Sequence, residues 1–155
     1  MAAQAMRIGL ISDTHGLLRP QALEALAGVD RIIHAGDIGN AGVLEALAAI
    51  APVDVVRGNN DSGAWAAAIP HSQTLAYGGV RIYLVHDINE LKGRMPPVQV
   101  VIAGHSHKPL VDERDGVLRV NPGSAGPRRF KLPVTVGFLE IVDGTAAATI
   151  IELAV

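Results

Sequence analysis

The sequence predicts an α/β fold, a four-layer α/β/β/α sandwich of two mixed sheets flanked by helices. Three observations lead there. The first half alternates short apolar runs with helical stretches, and the second half is nearly all strand runs divided by hairpin signals. The length, 155 residues, suits one compact domain with one substantial core. That domain is placed over residues 6–155, with residues 1–5 as a loose leader.

Each element has a local reason. The run 6–12 (MRIGLIS) reads as a buried strand. Residues 20–27 (PQALEALA) read as a helix, with Pro20 at its first position and Gly28 just past its end. A strand over 31–34, a helix over 41–50 stopped near Pro52, and a strand over 53–57 complete a βαβαβ pattern. Such a pattern implies parallel strands with right-handed crossovers. Further on, 74–76 and 80–85 flank Tyr77-Gly78-Gly79, 110–113 and 117–120 flank Asp115-Gly116, and 134–142 and 146–153 flank Asp143-Gly144. These are three hairpin signals. The run 98–103 (VQVVIA) is one more buried strand, and the second half is read as closing in antiparallel β.

Composition excludes several classes. Hydrophobic residues make up 49% and aromatics 3%, so the core rests on aliphatic packing. No apolar run reaches the ~20 residues of a membrane span, and a membrane partner is not expected. The absence of Cys excludes disulfides and thiolate metal sites and fits a reducing, cytoplasmic setting. A net charge of −2, with Arg128, Arg129 and Lys131 as the nearest thing to a basic patch, counts against nucleic acid as partner. The oligomeric state is left open, a homo-oligomer included.

The informative regularity lies just past the end of each strand. Asp13-Thr14-His15, Gly36-Asp37, Gly58-Asn59-Asn60-Asp61, His86-Asp87 and Gly104-His105-Ser106-His107 each stand after an apolar run. In open α/β sheets ligands bind beyond the carboxyl ends of strands, so five strand ends can aim polar groups into one crevice. Extended backbone in Asp13-x-His15 and His105-x-His107 would place i and i+2 on one face. Gly36, Gly58 and Gly104 stand where a chain must turn sharply or let a neighbour approach. Asp, His and Asn together form an O/N donor set suited to Mn, Fe, Zn, Ni or Co. Taken singly, each has an ordinary explanation: Asp37 as a helix cap, Asn59 as a turn residue, His15 as a turn His. Independent ordinary explanations would have to coincide at five strand ends.

The ordered set Asp13-x-His15, Gly36-Asp37, Gly58-Asn59-x-Asp61, His86 and Gly104-His105-x-His107 resembles the signature of the calcineurin-like metallophosphoesterases. The small size and Asn121-Pro-Gly-Ser124 are similar to the compact, prokaryotic-type phosphodiesterase branch, over residues 6–124 and more loosely beyond. The resemblance implies two divalent metal ions, Mn foremost. Asp13, His15 and His107 would hold the first, Asn59, His86 and His105 the second, and Asp37 would bridge them. Asp37, Asn59 and His86 are also assigned to catalysis. The implied activity is hydrolysis of a small phosphate ester, a diester before a monoester, by hydroxide attack at a site where two metals stand ~3.5–4 Å apart.

Among the remaining residues, His34 reads as structural, His71 as solvated, and Asp61 as orienting a ligand His. Trp65 is expected to cover a helix or loop, and Asn121, Gly123 and Ser124 to turn near the site. The sequence departs from the family pattern twice. Asn60 stands where many members carry His or Cys, and Asp87 where Gly usually follows the His. Two other functions compete. One is a metal-binding scaffold, since a retromer subunit looks like this family and serves in assembly. The other is a nuclease.

Overall fold

In a computed structural model, which describes residues 5–155, the apolar runs become strands close to where the sequence places them. The chain order is β1 (Ala5–Ile11), α1 (Pro20–Leu26), β2 (Arg31–His34), α2 (Ala41–Ala48), β3 (Val53–Val55), α3 (Ala64–Ala67), β4 (Ser72–Tyr77) and β5 (Val80–Val85). A 3-10 turn (Ile88–Leu91) comes next, then β6 (Val100–Ile102), β7 (Leu110–Arg114), β8 (Val117–Asn121), β9 (Thr135–Val142) and β10 (Thr145–Glu152). Residues 1–4, most of the expected leader, lie outside the described residues, and Ala5 already belongs to β1. Pro20 opens α1 as expected. Asn40 caps α2, its side-chain oxygen accepting from the Val43 amide at 3.2 Å. The short α3 and the 3-10 turn have too few residues to show a helical period in the sequence.

Two mixed sheets form the sandwich. In the first the order is β10-β9-β1-β2-β3, with β1, β2 and β3 parallel and β9 antiparallel to both β1 and β10. In the second the order is β4-β5-β6-β8-β7. All three expected hairpins form, yet the second half is not wholly antiparallel. β6 runs parallel to both β5 and β8, and the third hairpin joins the first sheet rather than the second. A hairpin signal fixes only local pairing. β6, with Val100, Val101 and Ile102 all fully buried, shows the continuous apolar run of a covered parallel strand.

The core has two layers. Ile8, Leu10 and Ile33 of the first sheet meet Ile82, Leu84 and Ile102 of the second. On the outer face of the first sheet Leu26 of α1 and Val43 and Leu47 of α2 pack over Ile32 and Phe138, with Trp65 against the same cluster. The helical cover of the second sheet is thin, since Ile88 and Asn89 of the 3-10 turn lie across a cleft from Arg119 and Val120. Polar ties close the β3–β4 edge. The Tyr77 hydroxyl donates to Asp54 at 2.5 Å, Arg31 stands over the Tyr77 ring at 4.7 Å, and the Gln73 amide donates to the Val55 carbonyl at 2.7 Å. No helix among the described residues is long and apolar enough to cross a membrane.

This stacking brings the carboxyl ends of β1, β2, β3, β5 and β6 to one rim of the sandwich. Because Ile33 is fully buried between the sheets, Ile33→Ala is expected to lower stability by about 2–5 kcal/mol in urea unfolding.

Candidate metal centre

At that rim the segments after β1 and β2 continue as a short backbone ladder. Asp13, His15 and Gly16 amides donate to the carbonyls of Gly36, Asp37 and Ile38 at 3.0, 2.9 and 2.7 Å. The ladder does not stay extended. Asp13, His15, Asp37, His105 and His107 all adopt left-handed backbone, with φ of 56°, 46°, 55°, 70° and 63°. The expectation that Asp13/His15 and His105/His107 converge by strand alternation is therefore corrected. β1 stops at Ile11 and β6 at Ile102, so these residues lie beyond the ladders and are aimed by left-handed turns. Outside glycine this conformation costs roughly 1–2 kcal/mol per residue, and it persists only where surrounding bonds over-determine it.

Those bonds are present. Among the described residues Asp61 bonds to no His; its carboxylate accepts from the Ile38, Gly39 and Gly58 amides at 2.9, 3.1 and 2.9 Å and so shapes the turn carrying Asp37. His34 is structural, as read from the sequence. Its Nδ1 accepts from the Gly36 amide, so Nε2 carries the proton and donates to Thr14, whose hydroxyl donates to the Ile38 carbonyl. Complete burial pushes His34 down to about 4, against the pull of the Asp13 carboxylate. The neutral ring thus links the two loops. Asn121 donates to the Gly104 carbonyl and to Ser106, while the Ser124 hydroxyl donates to the Asp13 carbonyl.

Gly58 and Gly104 are needed for close approach. A Cβ on Gly58 would collide with the Asp37 carboxylate, and one on Gly104 with Ser12 and, at 2.7 Å, with Asp13 Oδ2.

All seven sequence-selected residues meet in this crevice. Asp13, His15 and His107 each offer one atom within 4.8 Å of the others, as do Asp37, His86 and His105. Asn59 joins the second group through its Oδ1, 3.1 Å from His105 Nδ1. Asp37 Oδ2 stands 3.3 Å from His86 Nε2 and 3.8 Å from His15 Nε2, within reach of both groups. Asp13 Oδ1 stands 3.4 Å from His107 Nε2 and 3.8 Å from His86 Nε2. Donor atoms held ~2.1 Å from a shared ion are separated by roughly 3.0–3.4 Å, close to several of these spacings.

The donor chemistry also fits a cation. Asp13 Oδ2 accepts from Ser12 and the His105 amide at 2.8 and 3.1 Å, while Asp13 Oδ1 is buried with no hydrogen-bond partner. His86 Nδ1 donates to the Ala35 carbonyl at 2.7 Å, which leaves Nε2 as a lone pair, and that atom too is buried and unpartnered. Burial lowers the His86 pKa, but the Asp37 carboxylate outweighs it and raises the ring above its ordinary value. A field that attracts a proton to this nitrogen attracts any other cation.

Asn60 and Asp87 take definite places. The Asn60 amide donates to Asp37 Oδ1 at 2.9 Å and its side-chain NH2 to Oδ2 at 3.0 Å. Burial alone would raise Asp37, but the His86 ring beside it and the bonds from Asn60 outweigh it and hold the carboxyl well below its usual range. The sequence marked Asn60 only as a missing proton donor; its two bonds to Asp37 were not foreseen. Asp87 caps the 3-10 turn, and its Oδ2 lies 3.7 Å from His105 Nε2. Asp87 and His105 stand where two clefts of about 430 and 530 Å³ meet. His71 is exposed and accepts from Arg57 at 2.5 Å.

A fold of two stacked mixed sheets with paired Asp/His clusters at one rim is that of the metallophosphoesterases. Residues 6–144 match the family model of the calcineurin-like phosphoesterase superfamily domain, and the chain belongs to that superfamily. It is 35% identical over 142 residues to a probable metallophosphoesterase of Methanothermobacter thermautotrophicus, covering 83% of this chain and 82% of that one. A phosphodiesterase of Methanocaldococcus jannaschii is 27% identical, covering 87% and 93%. Among solved structures, vacuolar protein sorting 29 of Cryptosporidium parvum superposes with a TM-score of 0.77 at 21% identity, covering 96% and 98%, a likeness of fold.

Removing the Asn60 side chain leaves its backbone bond to Asp37 but frees Oδ2. In a calorimetric titration with Mn²⁺, Asn60→Ala is expected to bind about 10–100-fold more weakly than the unaltered chain. Unchanged affinity would show that this bond does not tune Asp37.

Proposed function

We propose that this chain is a dinuclear-metal-dependent phosphoesterase, acting on diesters in preference to monoesters, with hydroxide as the attacking group. The observation that carries the reading is the pair of donor groups with one carboxylate, Asp37, reaching into both. In this reading Asp13, His15 and His107 hold one ion and Asn59, His86 and His105 the other, with Asp37 common to the two. The thiolate-free O/N donor set suits Mn²⁺ as the working metal, with Fe, Zn, Ni or Co as substitutes. When bound, two such cations supply Lewis acidity and the acidified water that hydroxide attack requires.

The chain's own residues do the rest. Asn60 fixes both oxygens of Asp37, and the Ala35 carbonyl fixes the tautomer of His86, so the donors need no rearrangement to accept a cation. Asn60 cannot donate a proton usefully, so the preferred esters are those whose alcohol departs without one. Two clefts meeting at His105 leave room for two ester substituents. The second cleft also carries Asp87 and Glu90, whose carboxylates repel a dianionic monoester more than a monoanionic diester. The likeness to a phosphodiesterase supports the same preference. The reading includes a cytoplasmic setting, on the lack of Cys.

The test is hydrolysis of bis-p-nitrophenyl phosphate and p-nitrophenyl phosphate by chelator-stripped protein, with and without Mn²⁺. Turnover should require the metal and favour the diester. Asp37→Ala should lose roughly a hundredfold or more in kcat, beyond the 10–100-fold typical of residues that only support a ligand. Absence of turnover with Mn, Fe, Zn, Ni and Co alike would leave the scaffold reading in its place.

A further inference from the structure

The loop between β8 and β9 carries Arg128, Arg129, Phe130 and Lys131, all exposed. Phe130 is 89% exposed and held at φ +54°, a conformation rare for a bulky side chain. Among the described residues the three cationic side chains have no ion pair or hydrogen bond. An aromatic ring presented to water on strained backbone, between unpaired cations, is a feature the fold alone does not require.

The stem of this loop is fastened to the metal centre. The Ala125 amide donates to the Ser12 carbonyl at 3.1 Å, and the Ser124 hydroxyl donates to the Asp13 carbonyl at 3.1 Å. Gly126 lies so close to the Asp13 and Thr14 carbonyls that no Cβ would fit, and its own carbonyl accepts from Arg19 at 3.2 Å. The stem of the loop, residues 124–126, therefore abuts the Ser12–Thr14 backbone that leads into the first donor group, and Arg128 follows two residues on, whereas the two clefts adjoin His105 of the second.

We infer that residues 128–131 bind a single-stranded oligonucleotide and feed one of its phosphodiesters to the centre. Arg128, Arg129 and Lys131 pair with backbone phosphates, and Phe130 stacks on a base. Base stacking on an exposed aromatic flanked by cations is the usual means of holding single strands without reading sequence. A duplex hides its base faces and calls for a broader cationic surface than a chain of net charge −2 provides. The inference narrows the expectation from composition, which counted against nucleic acid as a partner on a broad surface and leaves room for a short strand at one loop. As a statement of substrate class it rests on the phosphoesterase reading, while binding itself does not.

Binding is therefore measured on chelator-treated protein, by fluorescence anisotropy of a short labelled oligothymidylate, so that it is independent of turnover. Phe130→Ala should weaken binding about five- to a hundredfold, Phe130→Leu by a similar factor, and Phe130→Trp should retain it. Arg128→Ala combined with Arg129→Ala should lower the slope of log affinity against log salt by about 1 to 1.5. Absence of oligothymidylate binding, or binding that none of these variants alters, overturns the inference. So does binding to phosphatidylserine vesicles in its place, a surface into which Leu inserts as well as Phe. Oligothymidylate binding that responds to these variants, in a protein that turns over neither p-nitrophenyl ester with any of the five metals, would uphold the loop as a binding site and defeat the phosphoesterase reading alone; the same binding in a protein that hydrolyses bis-p-nitrophenyl phosphate but leaves the strand uncut would overturn its delivery to the centre.

Discussion

The structure of the rim depends on the Asp37 carboxylate and the groups that restrain it. Its oxygens face imidazole nitrogens from two different strand ends, and a buried carboxylate is stable there only as a fully bonded anion. Asn60 supplies two of the bonds, Asp61 holds the amides on either side of the turn, and Gly58 leaves the space. Beside this anion an imidazole is set with its lone pair inward and its proton outward. It is His86, with one nitrogen spent on a carbonyl and the other unpartnered.

Such an arrangement is unfavourable unless something positive shares it. Buried Asp13 Oδ1 and His86 Nε2 each forgo a hydrogen bond, and five left-handed residues add backbone strain. Local cost concentrated at one rim, with well-packed sheets beneath, is the pattern expected where stability is given up for a binding function. The sandwich makes this tolerable. Both sheets contribute fully buried aliphatic side chains to a common layer, and the strained turns hang from the ends of those strands.

How much of this the sequence discloses depends on the range of the interaction. Strands such as 80–85, the cap at Asn40 and the Pro20 start are local features and read directly. That these seven residues would lie together was legible because each stands after an apolar run, although the extended geometry expected of two pairs was wrong. Strand alternation is the right inference only inside a ladder, and β1 and β6 end before Asp13 and His105. The parallel placement of β6 was hidden because a hairpin signal says nothing about a strand's distant neighbours. The bonds of Asn60 were hidden for a similar reason. Its partner, Asp37, lies 23 residues away, and no local rule pairs an Asn with a carboxylate across two strand ends. The Thr14–His34 link, 20 residues apart, was invisible on the same grounds.

The central claim is that two metal ions share one carboxylate, and paramagnetic resonance of the Mn²⁺-loaded protein, with metal content measured on the same sample, tests it most directly. The account expects two Mn²⁺ per chain with an exchange-coupled spectrum, and loss of the coupling in Asp37→Ala. One Mn²⁺ per chain, or two that give independent uncoupled signals in the unaltered protein, would contradict it.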